Sequence, residues 1–351
     1  MKILHAADLH LDTPFTGRSE AEVAYLKKAL LSLPEKIVEL CRQEHCDLLL
    51  LAGDLFDADP TGQSMAALRA ALAEIRVPVF ISPGNHDFCA PQSPYLTEVW
   101  PENVHIFTKP IIESVAIAEM DCRVYGAGFT AMDCPALLEN FRAEGKESYH
   151  IGLLHGDPLQ KHSPYSPITQ EQVAASGLDY LALGHVHKSG MFTAGSTLCA
   201  WPGCPMGRGN DETGEKGVYL VTIEQTIDAK FIPLDTPRFY DLQIEVTDTP
   251  EQAIRSLLPP VGSKDFYRIT LTGEWQPFDA AALTFPDFPH LQLRDRTTPP
   301  VDLWANMDAD SLEGVFFRML HDALDTEDAD AALLAAKISR RILDGREVAL
   351  P

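Results

Sequence analysis

The chain lacks the features of a membrane protein, a secreted disulfide-rich protein or a zinc-ribbon protein. Its seven cysteines are scattered over 351 residues and no two are spaced C-x-x-C, so neither a disulfide framework nor a structural zinc site is predicted. No apolar run approaches the ~20 residues that a membrane-spanning helix needs. The first residues also lack the layout of a signal peptide. We therefore expect reduced thiols and a cytoplasmic location.

Basic residues are also scarce. Lys and Arg number 28 against 51 Asp and Glu, which gives a formal net charge of -23. A surface this acidic repels phosphate polymers and gives no help to non-specific binding of nucleic acid. Any contact with DNA must therefore be local, carried by metal ions, or shared with a partner protein.

Apolar periodicity predicts an α/β domain over residues 1–237. Apolar residues recur every three to four positions from 20 to 43, which predicts a helix that is bent or broken near Pro34. A second helix is predicted at 64–75, and short apolar strands alternate with these helices. This order is typical of right-handed crossovers in a sheet with helices on its faces. Residues 104–129 are richer in strands, so we predict two packed β-sheets flanked by helices.

A smaller domain is predicted from residue 238 to residue 351. Pro233 and Pro237 close the preceding strand and mark the boundary. Beyond it, strands are expected at 242–246 and 267–271, and helices at 250–258, 311–324 and 331–343. The sequence thus predicts a C-terminal α+β capping domain, and it contains no internal repeat.

Five apolar runs in the N-terminal half each stop at a side chain of the kind that binds metal ions. The motifs at these stops are Asp8-Leu9-His10, Gly53-Asp54, Gly84-Asn85-His86-Asp87, His155-Gly156 and Gly184-His185-Val186-His187. Because the carboxyl ends of neighbouring strands meet at one crevice in an open α/β sheet, we expect these side chains to lie close together. Carboxylates, imidazoles and one amide, without a thiolate, suit manganese, magnesium, iron or zinc.

Spacing suggests how these side chains divide their work. Asp8 and His10 are two residues apart, as are His185 and His187, so in extended backbone each pair points to one side and can chelate. Asp54 stands alone at the end of its strand, and a carboxylate can bridge two cations. Two ions roughly 3.5–4 Å apart activate a water molecule and stabilise a phosphoryl centre. A dinuclear centre bridged by Asp54 is therefore predicted.

The remaining motif residues complete this hypothesis. Asn85 adds an oxygen ligand without adding charge, and His155 completes the second shell together with the final histidines. His86 follows Asn85 directly. An imidazole at this position can give a proton to the departing alkoxide in phosphodiester hydrolysis.

The ordered set of five motifs resembles that of the calcineurin-like metallophosphoesterase superfamily. Within it, residues 5–12, 51–57 and 203–217 are most similar to bacterial SbcD-type DNA-repair nucleases of the YhaO-type branch. The resemblance covers residues 1–237 and implies a manganese-dependent DNA nuclease with His86 as general acid. It also implies an SMC-type ATPase of the SbcC class as partner and a possible homodimer. One implied ligand set is Asp8, His10, Asp54 and His187, and the other is Asp54, Asn85, His155 and His185.

Several residues and functions leave alternatives open. Asp57 and Asp87 either orient a ligand or His86, or cap a helix, and Asp12 is predicted to be a turn or cap residue. Arg208 and Lys216 either touch a substrate phosphate or are solvated loop charges, and we predict the second. One rival function is a phosphodiesterase or phosphatase for a small molecule or a phosphoprotein, which the acidic surface favours. The other is a non-catalytic, metal-bound scaffold subunit.

Overall fold

A computed structural model describes residues 1–345 of the chain. Its contacts divide the chain into two units. The first comprises Met1–Asp241 and Lys264–Tyr267, and the second comprises Leu242–Ser263 and the chain from Arg268 onward. Residues 346–351 of the predicted capping domain lie outside the described residues. No helix of residues 1–345 is long and apolar enough to cross a bilayer.

Strands occur in both units. In chain order they are β1 (Lys2–Ala6), β2 (Leu48–Leu51), β3 (Val79–Ile81), β4 (Val104–Ile106), β5 (Glu113–Ile117), β6 (Cys122–Gly126), β7 (Tyr149–His155), β8 (Tyr180–Gly184), β9 (Gly190–Ala194), β10 (Thr197–Trp201), β11 (Gly217–Ile223), β12 (Ile227–Pro233), β13 (Phe239–Glu245), β14 (Phe266–Thr272) and β15 (Leu291–Asp295).

These strands form two large sheets and one small one. The first sheet has the order β12-β11-β1-β2-β3-β4, and the second has the order β5-β6-β7-β8-β10-β9. The strands from β1 to β4 are parallel to one another, as are β6, β7, β8 and β10. The two-sheet α/β fold predicted from the sequence is thus confirmed. The small sheet, β13-β14-β15, contains the strands predicted at 242–246 and 267–271, whereas β15 was not predicted.

The helices are α1 (Glu20–Leu31), α2 (Leu33–Gln43), α3 (Gly62–Ala73), α4 (Pro94–Thr97), α5 (Gln170–Ala175), α6 (Pro250–Leu257), α7 (Leu312–Asp322) and α8 (Ala329–Leu343). The break predicted near Pro34 is confirmed, because α1 ends before Ser32 and α2 carries its proline in the first turn. A proline lacks the N–H that helix interiors use, and the first turn has no need of it. The last three helices belong to the second unit.

The core of the first unit lies on both faces of the first sheet. All four residues of β2 are buried leucines, as expected for a parallel strand covered on both sides. Leu49 and Leu51 pack with the helices, while Leu48 and Leu50 pack with residues of the second sheet such as Ile151 and Tyr180. The polar motifs begin where this apolar packing stops, at the carboxyl ends of the strands.

Candidate metal centre

The structure brings the seven predicted ligands to the carboxyl ends of parallel strands in both sheets. Those from the first sheet follow β1, β2 and β3, and those from the second end β7 or follow β8. Most are withdrawn from solvent: Asp8, His10 and His155 are 0% exposed, Asp54 is 1% exposed and Asn85 is 7% exposed. Buried carboxylates and imidazoles need compensating partners, so their convergence requires an explanation.

The backbone at these positions is strained. The φ angle is +53° at Asp8, +45° at His10, +49° at Asp54 and +98° at His185. Residues other than glycine rarely adopt positive φ, and such strain concentrates at functional sites where the surrounding structure maintains it. Four of the seven ligands therefore owe their direction to backbone conformations that are unfavourable locally.

The first ligand group contains Asp8, His10 and His187. One nitrogen or oxygen from each lies within 4.8 Å of the others. The Nε2 atoms of His10 and His187 are 3.1 Å apart. Both carboxylate oxygens of Asp8 also accept the backbone N–H of His185, at 2.9 and 3.1 Å. The first group is therefore tied to the loop that carries the second.

The second ligand group is centred on the amide oxygen of Asn85. This Oδ1 atom lies 3.0 Å from Nε2 of His155 and 3.2 Å from Nδ1 of His185. The imidazole of His185 also faces the edge of the His155 ring, with 5.2 Å between ring centroids. Burial and the neighbouring His155 lower the pKa of His185. A neutral imidazole is the form that binds metal ions.

Asp54 lies between the two groups. Its Oδ2 is 3.5 Å from Nε2 of His155 and 3.8 Å from Nε2 of His10, while its Oδ1 accepts the backbone N–H of His86 at 2.9 Å. Burial opposes ionisation of this carboxyl, but the imidazoles of His155 and His10 outweigh it and lower its pKa. The carboxylate of Asp54 thus stands between the imidazoles of the two groups, and its role as a bridge stays a prediction.

The chemistry of these donors fits divalent cations. Nδ1 of His10 donates to Asp57. Nδ1 of His187 lies 2.7 Å from Oε1 of Glu212 and 2.9 Å from Nη2 of Arg208. With this nitrogen donating to the shorter contact, Glu212, both Nε2 atoms present lone pairs to each other across 3.1 Å. Nδ1 of His155 likewise donates to the carbonyl of Ala52, and its Nε2 lone pair faces oxygen acceptors. Acceptors that face one another in a buried site repel, unless a cation lies between them.

Acidic residues hold the histidines of the first group in these tautomers. Oδ1 of Asp57 lies 3.0 Å from Nδ1 of His10, and Oε1 of Glu212 lies 2.7 Å from Nδ1 of His187. The hydrogen bond from His10 is the largest cause of the lowered pKa of Asp57. Burial opposes the charge of Glu212, but His187 and Arg208 hold the pKa of this carboxyl well below its usual range. Partners of this kind fix the ring orientation of metal ligands.

His86 stands beside the ligand groups and is open to solvent. Its side chain is 42% exposed, and its ring meets that of His10 edge to face at 4.8 Å. Nδ1 of His86 lies 3.2 Å from the backbone carbonyl of Asp57 and 3.6 Å from its carboxylate. With Nδ1 donating to that carbonyl, Nε2 is the atom left to exchange a proton with a substrate.

Asp57 and Asp87, for which the sequence left two alternative roles, make different contacts in the structure. The contacts of Asp57 match the orienting interpretation. Asp87 instead accepts the backbone N–H groups of Leu55, Phe56 and Gly84 and the hydroxyl of Tyr95. Burial and the nearby charge of Asp54 raise the pKa of Asp87. None of these four bonds caps a helix or goes to the His86 side chain, and together they connect the loop after β2 to the loop after β3.

Asp12 accepts hydrogen bonds from the backbone and hydroxyl of Thr61, at 2.9 Å each, and from the hydroxyl of Ser64. Thr61 is the N-cap of α3. The prediction of a turn or cap residue is therefore confirmed, and Asp12 has no direct contact with the ligand groups among these bonds.

The prediction for Arg208 and Lys216 was wrong. The Arg208 side chain is only 19% exposed and pairs with Asp57 and Glu212. Lys216 is 7% exposed, and its Nζ donates to the carbonyl of His187 at 3.4 Å. Both side chains are therefore largely buried, and both contact residues of the first ligand group or their partners.

Two acids near the histidines, Glu212 and Asp157, were not predicted from the sequence. Glu212 lies in a loop after β10 with no recognisable motif. Asp157 is buried, its Oδ2 lies 3.8 Å from Nε2 of His185, and its Oδ1 accepts two backbone N–H groups of the following turn. Asp157 is two residues beyond His155, and this same-side spacing was the one signal that pointed to it. All seven cysteines are free and buried, in agreement with the expected reduced thiols.

Comparisons with known proteins identify the family of the chain. The model of the calcineurin-like phosphoesterase family matches residues 1–189. YhaO of Bacillus subtilis, an uncharacterized metallophosphoesterase, is 36% identical over 239 residues, which cover 64% of this chain and 57% of YhaO. The DNA double-strand break repair protein Mre11 of Saccharolobus solfataricus is 26% identical over 202 residues, covering 53% of this chain and 49% of Mre11. The chain thus spans about half the length of these curated relatives.

Among solved structures, a dimetal phosphatase from Danio rerio is similar to the chain with a TM-score of 0.44 and 12% identity. The alignment covers 66% of this chain and 96% of that chain.

Proposed function

The chain belongs to the calcineurin-like phosphoesterase family of metal-dependent hydrolases that act on phosphoester bonds, and we propose that it is a dinuclear DNA nuclease. It hydrolyses phosphodiester bonds, as an exonuclease or endonuclease, in DNA repair or recombination. The observation that carries the proposal is the set of six buried or half-buried donors arranged as two groups on either side of the buried Asp54. In this proposal Asp8, His10 and His187 hold one ion, and Asn85, His155 and His185 hold the other.

Bound divalent cations supply Lewis acidity at a phosphoryl group and lower the pKa of water. The protein residues do the rest. His86 gives a proton from Nε2 to the departing oxygen, while Nδ1 is held by the carbonyl of Asp57. The carboxylate of Asp57 lies 3.6 Å from the same nitrogen and faces the same side of the ring. Manganese is the proposed ion, since the oxygen and nitrogen donors suit it.

Support for DNA as substrate comes from the similarity to Mre11, a DNA double-strand break repair protein. The net charge of -23 opposes binding of a phosphate polymer by the isolated chain. We therefore propose that a partner supplies the positive surface, namely an SMC-type ATPase of the SbcC class. Assembly as a homodimer and a cytoplasmic location are part of the same proposal.

A second candidate function is favoured by the same charge. A phosphodiesterase for a small molecule needs only one phosphate at the metal ions and no extended basic surface. The ligand groups and His86 serve such a substrate equally well, so the choice of substrate must be decided by experiment.

The test is hydrolysis of linear DNA by the purified chain in Mn²⁺, with and without the ATPase. We expect Mn²⁺-dependent degradation, which His86→Ala abolishes while the chain still binds two ions. His162→Ala is the matched control, since His162 is an exposed histidine outside the site, and its activity should equal that of the wild type. If a small phosphodiester is hydrolysed far faster than DNA under every condition, the nuclease assignment is wrong.

A further inference from the structure

Arg208 joins the two carboxylates that orient the histidines of the first ligand group. Its Nη2 donates to Oε1 of Glu212 at 2.7 Å, and its Nε lies 3.2 Å from both oxygens of that carboxylate. Its Nη1 donates to Oδ1 of Asp57 at 3.2 Å. The backbone N–H of Arg208 also donates to Oε2 of Glu212, at 2.8 Å. One guanidinium thus cross-links an acid after β2 to an acid after β10.

Each of these carboxylates is the partner of a different histidine. The Oδ1 atom of Asp57 that accepts from Arg208 also accepts from Nδ1 of His10. The Oε1 atom of Glu212 that accepts from Arg208 also accepts from Nδ1 of His187. The chain of contacts therefore runs from His10 through Asp57, Arg208 and Glu212 to His187, and Nη2 of Arg208 also lies 2.9 Å from Nδ1 of His187 directly. The Nε2 atoms that close this ring are 3.1 Å apart.

We propose that Arg208 is a positioning residue that sets the affinity of the ion site formed by His10 and His187. The inference rests on the proposed dinuclear centre and goes beyond it, because it assigns a role to a residue that contacts no ion and no substrate in that proposal. Arg208 acts by holding both carboxylates in place through its hydrogen bonds, so that the two imidazoles keep their orientation and direct their Nε2 atoms at one point.

The chemistry of this position calls for arginine. Two carboxylates near one another in a largely buried setting repel, and each would turn toward water if the charge between them were removed. The side chains of Asp57 and Glu212 are only 21% and 10% exposed, so little screening by water replaces that charge. A planar fork with five N–H groups can bind one acid with two atoms and the other with a third. A lysine ammonium restores charge but not this geometry.

The second ligand group depends on other partners. Nδ1 of His155 donates to the backbone carbonyl of Ala52 at 3.0 Å, and His185 faces Asp157 at 3.8 Å. Within residues 1–345, the side chain of Arg208 bonds to Asp57, Glu212 and His187 and to none of these residues. Loss of Arg208 should therefore weaken one ion and leave the other nearly unchanged, which general misfolding would not do.

The experiment is a calorimetric titration of the metal-free chain with Mn²⁺, for the wild type and Arg208→Gln. We expect two binding events in the wild type, and in the variant a dissociation constant raised about 10- to 100-fold for one of them, the usual effect of losing such a partner. Arg123→Gln is the matched control. Arg123 forks onto Glu147 in the same way, at 3.0 and 2.8 Å, but away from the site, and both affinities should stay at wild-type values.

Two further variants identify the weakened ion and the cause. In an Asn85→Ala background the tighter remaining ion belongs to His10 and His187, and adding Arg208→Gln should weaken it by the same factor. Arg208→Lys should recover less than half of the loss on a logarithmic scale. Unchanged affinities in Arg208→Gln, an equal loss at both ions, or full recovery by lysine would each overturn the proposal. A wild type that binds two ions but cleaves no DNA would reject the nuclease function alone.

Discussion

Replacing His5 with glutamine should flatten the dependence of folding stability on pH below neutrality. His5 lies in β1 and is completely buried. Its Nε2 donates to the carbonyl of Leu183 at 3.0 Å, and its Nδ1 accepts the hydroxyl of Tyr180 at 2.8 Å. Both nitrogens are therefore used by a neutral ring, and a second proton would break the bond from Tyr180. Glutamine can keep one donor and one acceptor without any charge.

The size of the effect follows from the difference between the folded and unfolded chains. Burial lowers the pKa of His5 from 6.5 to about 3, so the unfolded chain binds the proton more readily. Stability is fully present above the unfolded pKa and falls as the pH drops toward the folded pKa. At about pH 4.5 the folded ring is still neutral, and two pH units below 6.5 correspond to a loss of about 2.6 kcal/mol relative to pH 7.5.

The assay is urea unfolding of the metal-free chain, followed by circular dichroism, at a series of pH values. The wild type should lose about 2.6 kcal/mol more than His5→Gln between neutral pH and about pH 4.5. His162→Gln is the control, because this exposed histidine should leave the wild-type profile unchanged. Parallel profiles for the wild type and His5→Gln would refute the argument, since they would mean that His5 is protonated as easily in the folded chain as in the unfolded one.

Two further predictions concern the loops that carry the ligands. Asp87→Ala should lower the free energy of unfolding by about 3 kcal/mol, because it leaves the buried N–H groups of Leu55 and Gly84 without an acceptor. Urea unfolding measures this loss. Asp59→Ala, at an exposed position, is the control, and an equally small loss in both variants would contradict the prediction. Gly184→Ala should impair both folding and Mn²⁺ binding, because an added Cβ would lie 1.8 Å from the carbonyl oxygen of Ala52. Gly62→Ala, where a Cβ meets open space, is its control, and equal behaviour of the two glycine variants would show that the close approach is not restrictive.

Much of the fold could be predicted because its signals are local. The apolar runs of β1 and β2 and the helix broken before Pro34 are visible as periodicity and punctuation over a few residues. Strand pairing is a different matter. β11 lies antiparallel beside β1, although more than 200 residues separate them in the sequence, and no pattern within either strand indicates its neighbour. β15 has the weak, largely exposed pattern of an edge strand and gave no signal of its own.

In the site, too, the features with a local sequence signal could be predicted and those without one could not. Each ligand motif sits where an apolar strand ends, so its place in space follows from strand direction alone. The sequence placed all five motifs at the edge of one open sheet, whereas His155 and His185 come from the second sheet. The partners of the ligands could not be predicted, because Glu212 and Arg208 lie in the long loop between β10 and β11, and the sequence does not indicate where that loop runs. Their charges look solvated in the sequence, and only the folded structure shows that they face each other.

The central claim is that two cations share Asp54 between the two ligand groups. Crystals grown with Mn²⁺ and measured near the manganese absorption edge test it most directly. We predict two anomalous peaks roughly 3.5–4 Å apart, one beside His10 and His187, the other beside His155 and Asn85, with Asp54 contacting both. A single peak, or peaks away from these side chains at saturating Mn²⁺, would contradict the account.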